Sequence, residues 1–162
     1  MATLSPFTRR MLDIQGYENV SDEKFGGTAK WLKLAIFGCA AVVAVGMAME
    51  SIPIMWAMVA IAGVAAFTPV HPLDLIYNYG IRFITGTGKL LRRSGLNRAA
   101  CALGTVWLLV AIAAHSAGMM VGYQLLGWSL VGIAGLVGTL DVCMPSYFFR
   151  LFIGYPPKRK AV

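Results

Sequence analysis

Side chains that carry chemistry are scarce in this sequence. There are two histidines, His71 and His115, and seven carboxylates in 162 residues. The three cysteines, Cys39, Cys101 and Cys143, form no C-x-x-C pair, which removes the usual zinc and dithiol signatures and leaves too few thiols for a disulfide framework. Charge is thin as well: charged residues make up 13% of the chain against 58% hydrophobic, with a mean hydropathy of +0.70. So small a polar complement cannot cover the surface of a soluble domain, and the chain reads as an integral membrane protein. The pair Arg9–Arg10 is followed by MLDIQGYENVSDEK, without the apolar stretch that a secretory signal needs. Residues 1–30 are therefore expected to remain as a cytoplasmic segment, with Leu4, Phe7, Met11 and Ile14 spaced as on a short amphipathic helix.

What the chain has instead is two apolar blocks. Residues 31–70 and 99–143 are each long enough to cross a bilayer twice, so each is expected to form a transmembrane hairpin. The spacing predicts helices over 31–49, 52–67, 99–120 and 123–142, with Glu50, Ser51 and Pro53 in the first turn and Gly118 to Gly122 in the second. The expected fold is all-α, an integral membrane protein with four transmembrane helices in two hairpins.

The polar stretch 71–98 joins the two hairpins, and residues 144–162 follow the second as an interfacial segment and basic tail. Each begins with a proline ahead of an aromatic run containing an arginine: Pro72 with Asp74, Tyr77, Tyr79 and Arg82, then Pro145 with Tyr147, Phe148 and Arg150. Proline pre-sets the first turn of a helix, and aromatics favour the headgroup level. Short amphipathic interfacial helices are thus expected after helix two and helix four. Asp74 and Asp141 are expected to pair there with nearby arginines in exposed, weak contacts.

All fourteen Lys and Arg residues fall on one side of this arrangement: five up to Lys33, five from Arg82 to Arg98, and four from Arg150 to Lys160. By the positive-inside rule both termini and the central segment face the cytoplasm, in a bacterial inner or intracytoplasmic membrane. The net charge of +7 then reports orientation and attraction to anionic lipids rather than nucleic acid.

His115, toward the outer end of helix three, is a candidate axial ligand for haem or a chlorophyll-type pigment. Among the thiols, Cys101 lies three residues after Arg98, the sign of charge that activates a thiolate, and Cys143 lies near Asp141; these two are the candidates for thiol or sulfur chemistry. No set of acids is spaced through the hydrocarbon as a proton relay needs. Small residues at helical spacing, Ala40, Ala44 and Ala48, then Ala100 and Gly104, then Ala134 and Gly138, suit close helix packing within the bundle and against other membrane subunits. Met47, Met55, Met58, Met119, Met120 and Trp56 are expected toward the outer leaflet, facing lipid or a partner. With no catalytic constellation, the leading expectation is a non-catalytic accessory subunit of a bacterial respiratory or photosynthetic complex.

Over residues 31–154, the exits HPLDLIYNYGIR and LDVCMPSYFFR, together with LNRAACALG, resemble a bacterial integral-membrane family, domain of unknown function 4395. The resemblance implies the helical membrane fold and no established activity. Some members end in a C-x-x-C pair, which would imply thiol or sulfur-related work. Here Cys143 matches the first cysteine and Ser146 stands at the second.

Overall fold

The structure, a computed structural model, describes residues 4–25, 27–140 and 142–157. Asp141 and the basic tail at 158–160 lie outside the described residues. Among those described, the chain is all helical, without strands. Four long helices form its body: α3 (Leu34–Ala48), α4 (Ile52–Phe67), α7 (Gly95–Ser116) and α8 (Met120–Leu140). Around one end lie α1 (Pro6–Leu12), α2 (Asp22–Phe25), α5 (Pro72–Ile76), α6 (Arg82–Thr85) and α9 (Met144–Ile153). That end is called the polar end below.

Three stretches are long and apolar enough to cross a membrane: Ala29–Ala48, Gly95–Ser116 and Met120–Leu140. The first enters through a 3-10 turn, Ala29–Lys33, that runs directly into α3. The remaining long helix, α4, passes that test only together with the helical segment Pro72–Thr85, from which it is bent by 85°. Thr68 in extended conformation makes the break, and Pro72 restarts the helix in its first turn, where the missing N–H costs nothing. The third long helix begins four residues earlier than its apolar run suggests, because Ser94 caps it by accepting from the N–H of Asn97 at 3.1 Å.

The four long helices pack in a ring, α3 on α4, α4 on α7, α7 on α8 and α8 on α3. Away from the polar end the ring closes tightly. Met47, Met55 and Met58 form its core with Leu108, Ala111, Ile112 and Tyr123. This corrects the sequence reading, which turned those methionines toward lipid or a partner; Met119, Met120 and Trp56 are the ones left exposed. Unbranched methionine fills the irregular gap between helices, and glycine makes room for it: a Cβ on Gly127 would overlap the Met47 side chain, and one on Gly46 would stand 3.1 Å from Met55 Sδ.

The N-terminal segment is not loose. It docks on the polar end of its own chain, with the π-turn Asp13–Tyr17 against α7 and α9. Gly16 breaks that turn at φ 93°, a conformation suited to glycine, and the break leaves backbone carbonyls without helical partners. Arginines take them. Arg150 donates to the carbonyls of Ile14 and Asp13, each at 3.0 Å, and to Glu18 at 2.6 Å. Arg9 donates to Val20 at 2.5 Å and pairs with Asp13 and Asp22.

Candidate functional site

The polar end is held apart rather than packed shut. Asp74 accepts a two-pronged bond from Arg93, Nε to Oδ2 at 2.8 Å and Nη2 to Oδ1 at 2.5 Å, while Nη2 also reaches the carbonyl of Leu32 at 3.1 Å. These side chains are only 3% and 8% exposed. The sequence reading placed Asp74 in a weak exposed contact beside Arg82; it sits instead in a buried pair with Arg93, nineteen residues on. Burial alone would draw the Arg93 pKa down, yet it is raised, because the bond to Asp74 favours the charged form. Arg98 turns away to cap the end of α4, donating to the carbonyls of Ala66 and Phe67 at 3.1 and 2.9 Å.

Between these struts lies a cavity of about 430 Å³, within the range of small-molecule sites. Its walls are α3, α7 and α8, and its floor is the N-terminal segment. Ala40, Ala100, Gly104 and Ala134, which the sequence suggested for close helix contact, line it. A Cβ on Gly104 would meet no atom within 4 Å. All three cysteines reach this one cavity, together with His71 and Arg93. Cys101 lies within electrostatic reach of both Cys39 and Cys143.

His71 has a defined tautomer. Its Nδ1 accepts from the N–H of Leu73 at 3.1 Å and so carries no hydrogen. The proton of the neutral ring is then on Nε2, which faces Cys39 Sγ at 3.5 Å. Burial, with the nearby positive Arg93, lowers the His71 pKa, consistent with a ring that would lose its Leu73 bond on protonation. His71 thus donates to the sulfur; it does not withdraw a proton from it.

The residues singled out from the sequence divide among three places. Cys101, Cys143 and Pro145 line the cavity. Asp74 and Arg150 hold the surrounding frame, and Tyr77, expected at headgroup level, is instead wholly buried against Trp31, with ring centroids 5.2 Å apart. Tyr147 donates to Met11 Sδ at 3.2 Å. Pro72 starts α5, Tyr79 is 79% exposed, and Arg82 stacks over the Phe83 ring. His115 stands apart at the far end of α7, edge-on to Tyr123, and does not line the cavity. Ser146, at the second position of the C-x-x-C spacing, is fully buried. Among the described residues, no three or more His, Cys, Asp or Glu side chains are grouped to hold a metal ion. Sequence reasoning missed His71, Arg93 and Cys39 as partners, since they come from three separate elements; only the pairing of an acid with one of the four arginines of the central segment was there to be guessed. No family model, curated protein or solved structure matches this chain.

Proposed function

We propose that this chain is a non-catalytic, four-span protein of a bacterial inner membrane that holds a small, largely apolar molecule at its cytoplasmic end. The observation that carries the reading is the cavity of about 430 Å³ lined by aliphatic side chains, several alanines, Gly104 and three thiols. In this reading α4 is the fourth span, since it completes the ring with α3 and α7. The helices beyond α4 and α8 lie flat in the interface. Their outer faces, Ile76, Tyr79, Phe83 and Ile84, then Phe148, Leu151, Phe152 and Ile153, are all exposed, as monolayer insertion requires. The clustered lysines and arginines put both termini in the cytoplasm.

Native mass spectrometry from mild detergent tests the binding role. The wild-type chain is expected to carry a bound small molecule, and Gly104→Leu, which fills the cavity, to lose it while keeping its melting temperature. A chain that is empty in nanodiscs and in detergent alike would overturn the reading. An accessory place in a larger respiratory or photosynthetic complex suits the same protein, because α8 turns Leu125, Trp128 and Leu136 outward with Gly132 open among them; a co-purifying membrane subunit is the expected sign.

A second reading, thiol or sulfur handling, is favoured by the gathering of Cys39, Cys101 and Cys143 and by the His71 contact. It ranks second because the nearest cations are committed, Arg93 to Asp74 and Arg98 to the α4 carbonyls, and a thiolate needs free positive charge beside it. Replacing the three cysteines together by alanine separates the two. Retained ligand supports simple binding; lost ligand with an unchanged fold supports the thiols.

A further inference from the structure

One polar surface is left out of the internal ion pairs. Residues 68–98 contain a single acid, Asp74, against five cations, Arg82, Lys89, Arg92, Arg93 and Arg98. Asp74 is buried and held by Arg93, and Arg98 is spent on the carbonyls at the end of α4. Acids of the N-terminal segment are engaged in the same way, Asp13 and Asp22 by Arg9 and Glu18 by Arg150. Arg82, Lys89 and Arg92 form no ion pair, with Glu23 or any other acid, among the described residues.

The fold sets these three cations beside an apolar stripe. Gly86, at φ 63°, ends α6 and turns the chain back. The returning stretch is pinned along the helical segment Pro72–Thr85. The hydroxyls of Tyr77 and Thr87 share a hydrogen bond, Leu90 N–H donates to Asn78 Oδ1 at 3.0 Å, and Arg93 N–H donates to the carbonyl of Pro69 at 2.8 Å. Leu90 is thereby buried, while Lys89 and Arg92 stay exposed. Along the segment itself Leu75, Ile76, Tyr79, Phe83 and Ile84 are exposed. Arg82 lays its guanidinium over the Phe83 ring, 4.5 Å from the centroid, and its Nε–H finds no acceptor among the described residues.

Exposed apolar side chains bordered by cations without counter-ions suit a monolayer with negative headgroups: the apolar groups enter the acyl boundary while the cations stay level with the phosphates. The 85° bend from α4 lays the segment across the end of a spanning helix, along such a surface. We infer that this surface docks anionic phospholipid, with Arg82, Lys89 and Arg92 donating to the headgroup phosphates. Guanidinium and ammonium both serve as phosphate donors, the first as a planar fork and the second as a point charge. The inference rests on the in-plane setting of the segment proposed above. It adds which lipid the segment meets and through which side chains.

The test is photocrosslinking of the full chain in phosphatidylcholine nanodiscs with two probes at equal low mole fraction, phosphatidylglycerol and phosphatidylcholine, each bearing a diazirine near the top of one acyl chain. Both are expected to label residues 75–84, phosphatidylglycerol at least about fivefold more, the weight of a single cation at such a surface. Lys89→Gln with Arg92→Gln, both at exposed positions, should lower that ratio at least about threefold. Arg159→Gln with Lys160→Gln, the same loss of charge in the basic tail, should leave it within about twofold. Equal labelling by the two probes overturns the anionic preference while leaving the in-plane setting intact. A ratio unchanged in the Lys89 and Arg92 variant, or lowered as far in the tail variant, overturns these cations as the site. Absence of label on residues 75–84 from either probe overturns the in-plane setting itself and leaves that face to a protein partner.

Discussion

At the far end of the bundle Met47 lies against Gly127 in the face of α8, whereas at the polar end Gly104 looks into empty space. At these two positions a small residue is used to opposite effect. At the far end Met47 stands against Gly127 and Met55 against Gly46, so the ring seals and its core is methionine, leucine and tyrosine. At the polar end arginines span the gaps by holding backbone carbonyls and Asp74, which ties the segments together without filling the space between them. Whether a small residue in a membrane helix means contact or cavity depends on what stands opposite it, and spacing along one helix carries no information about that.

The largest effect that would break this contrast comes from Asp74→Ala, which leaves the Arg93 charge buried and unpaired. It should destabilise the fold by about 3–5 kcal/mol, read from reversible unfolding in detergent, with Asp74→Ala/Arg93→Met recovering a good part of the loss. A silent Asp74→Ala would show that the polar end does not depend on its struts. Next in size is Arg150→Lys, which keeps the charge and loses the planar fork that reaches Ile14, Asp13 and Glu18 together. A loss of about 2 kcal/mol is expected, with faster proteolysis near Val20 as the N-terminal segment comes away.

The two glycines sharpen the comparison most directly. Gly127→Ala should cost about 1–3 kcal/mol, because Met47 must move within a packed core. Gly104→Ala, facing the cavity, should instead stabilise by up to about 1 kcal/mol through helix propensity alone. Equal effects from the two would erase the distinction between the ends.

The smallest expected effect is one of pH. His71 has a lowered pKa in the folded chain, so as pH falls below about 6.5, the ordinary histidine value, the unfolded chain takes up a proton that the folded chain refuses. Stability is therefore complete above that pH and declines below it, down to the folded pKa. His71→Asn, whose amide oxygen replaces the bond from Leu73 N–H, should flatten that part of the unfolding-against-pH curve. Tyr17, whose pKa burial raises, is neutral throughout the range and adds nothing to it.

Much of this was open to inspection before any coordinates. Hydropathy alone marks the long apolar stretches, since about 20 apolar residues in a helix match the thickness of a bilayer's hydrocarbon core. Proline at residues 53, 72 and 145 marks three helix starts. The small-residue positions on α3, α7 and α8 and the exposure of Tyr79 and Phe148 could be read from the sequence as well. The site could not. Cys39, His71, Arg93, Cys101 and Cys143 belong to five separate segments, and their gathering depends on how helices face one another.

By itself the amino-acid order determined that the chain is helical and apolar enough for a membrane, because those properties are sums over local residues. It also confined the lysines and arginines to a few segments. Only the tertiary structure decided that Asp74 answers Arg93, that Met47, Met55 and Met58 turn inward, and that alanines on α3, α7 and α8 line one space with Gly104. Those outcomes depend on helix rotation and separation, which are set by many weak contacts made at once across the bundle.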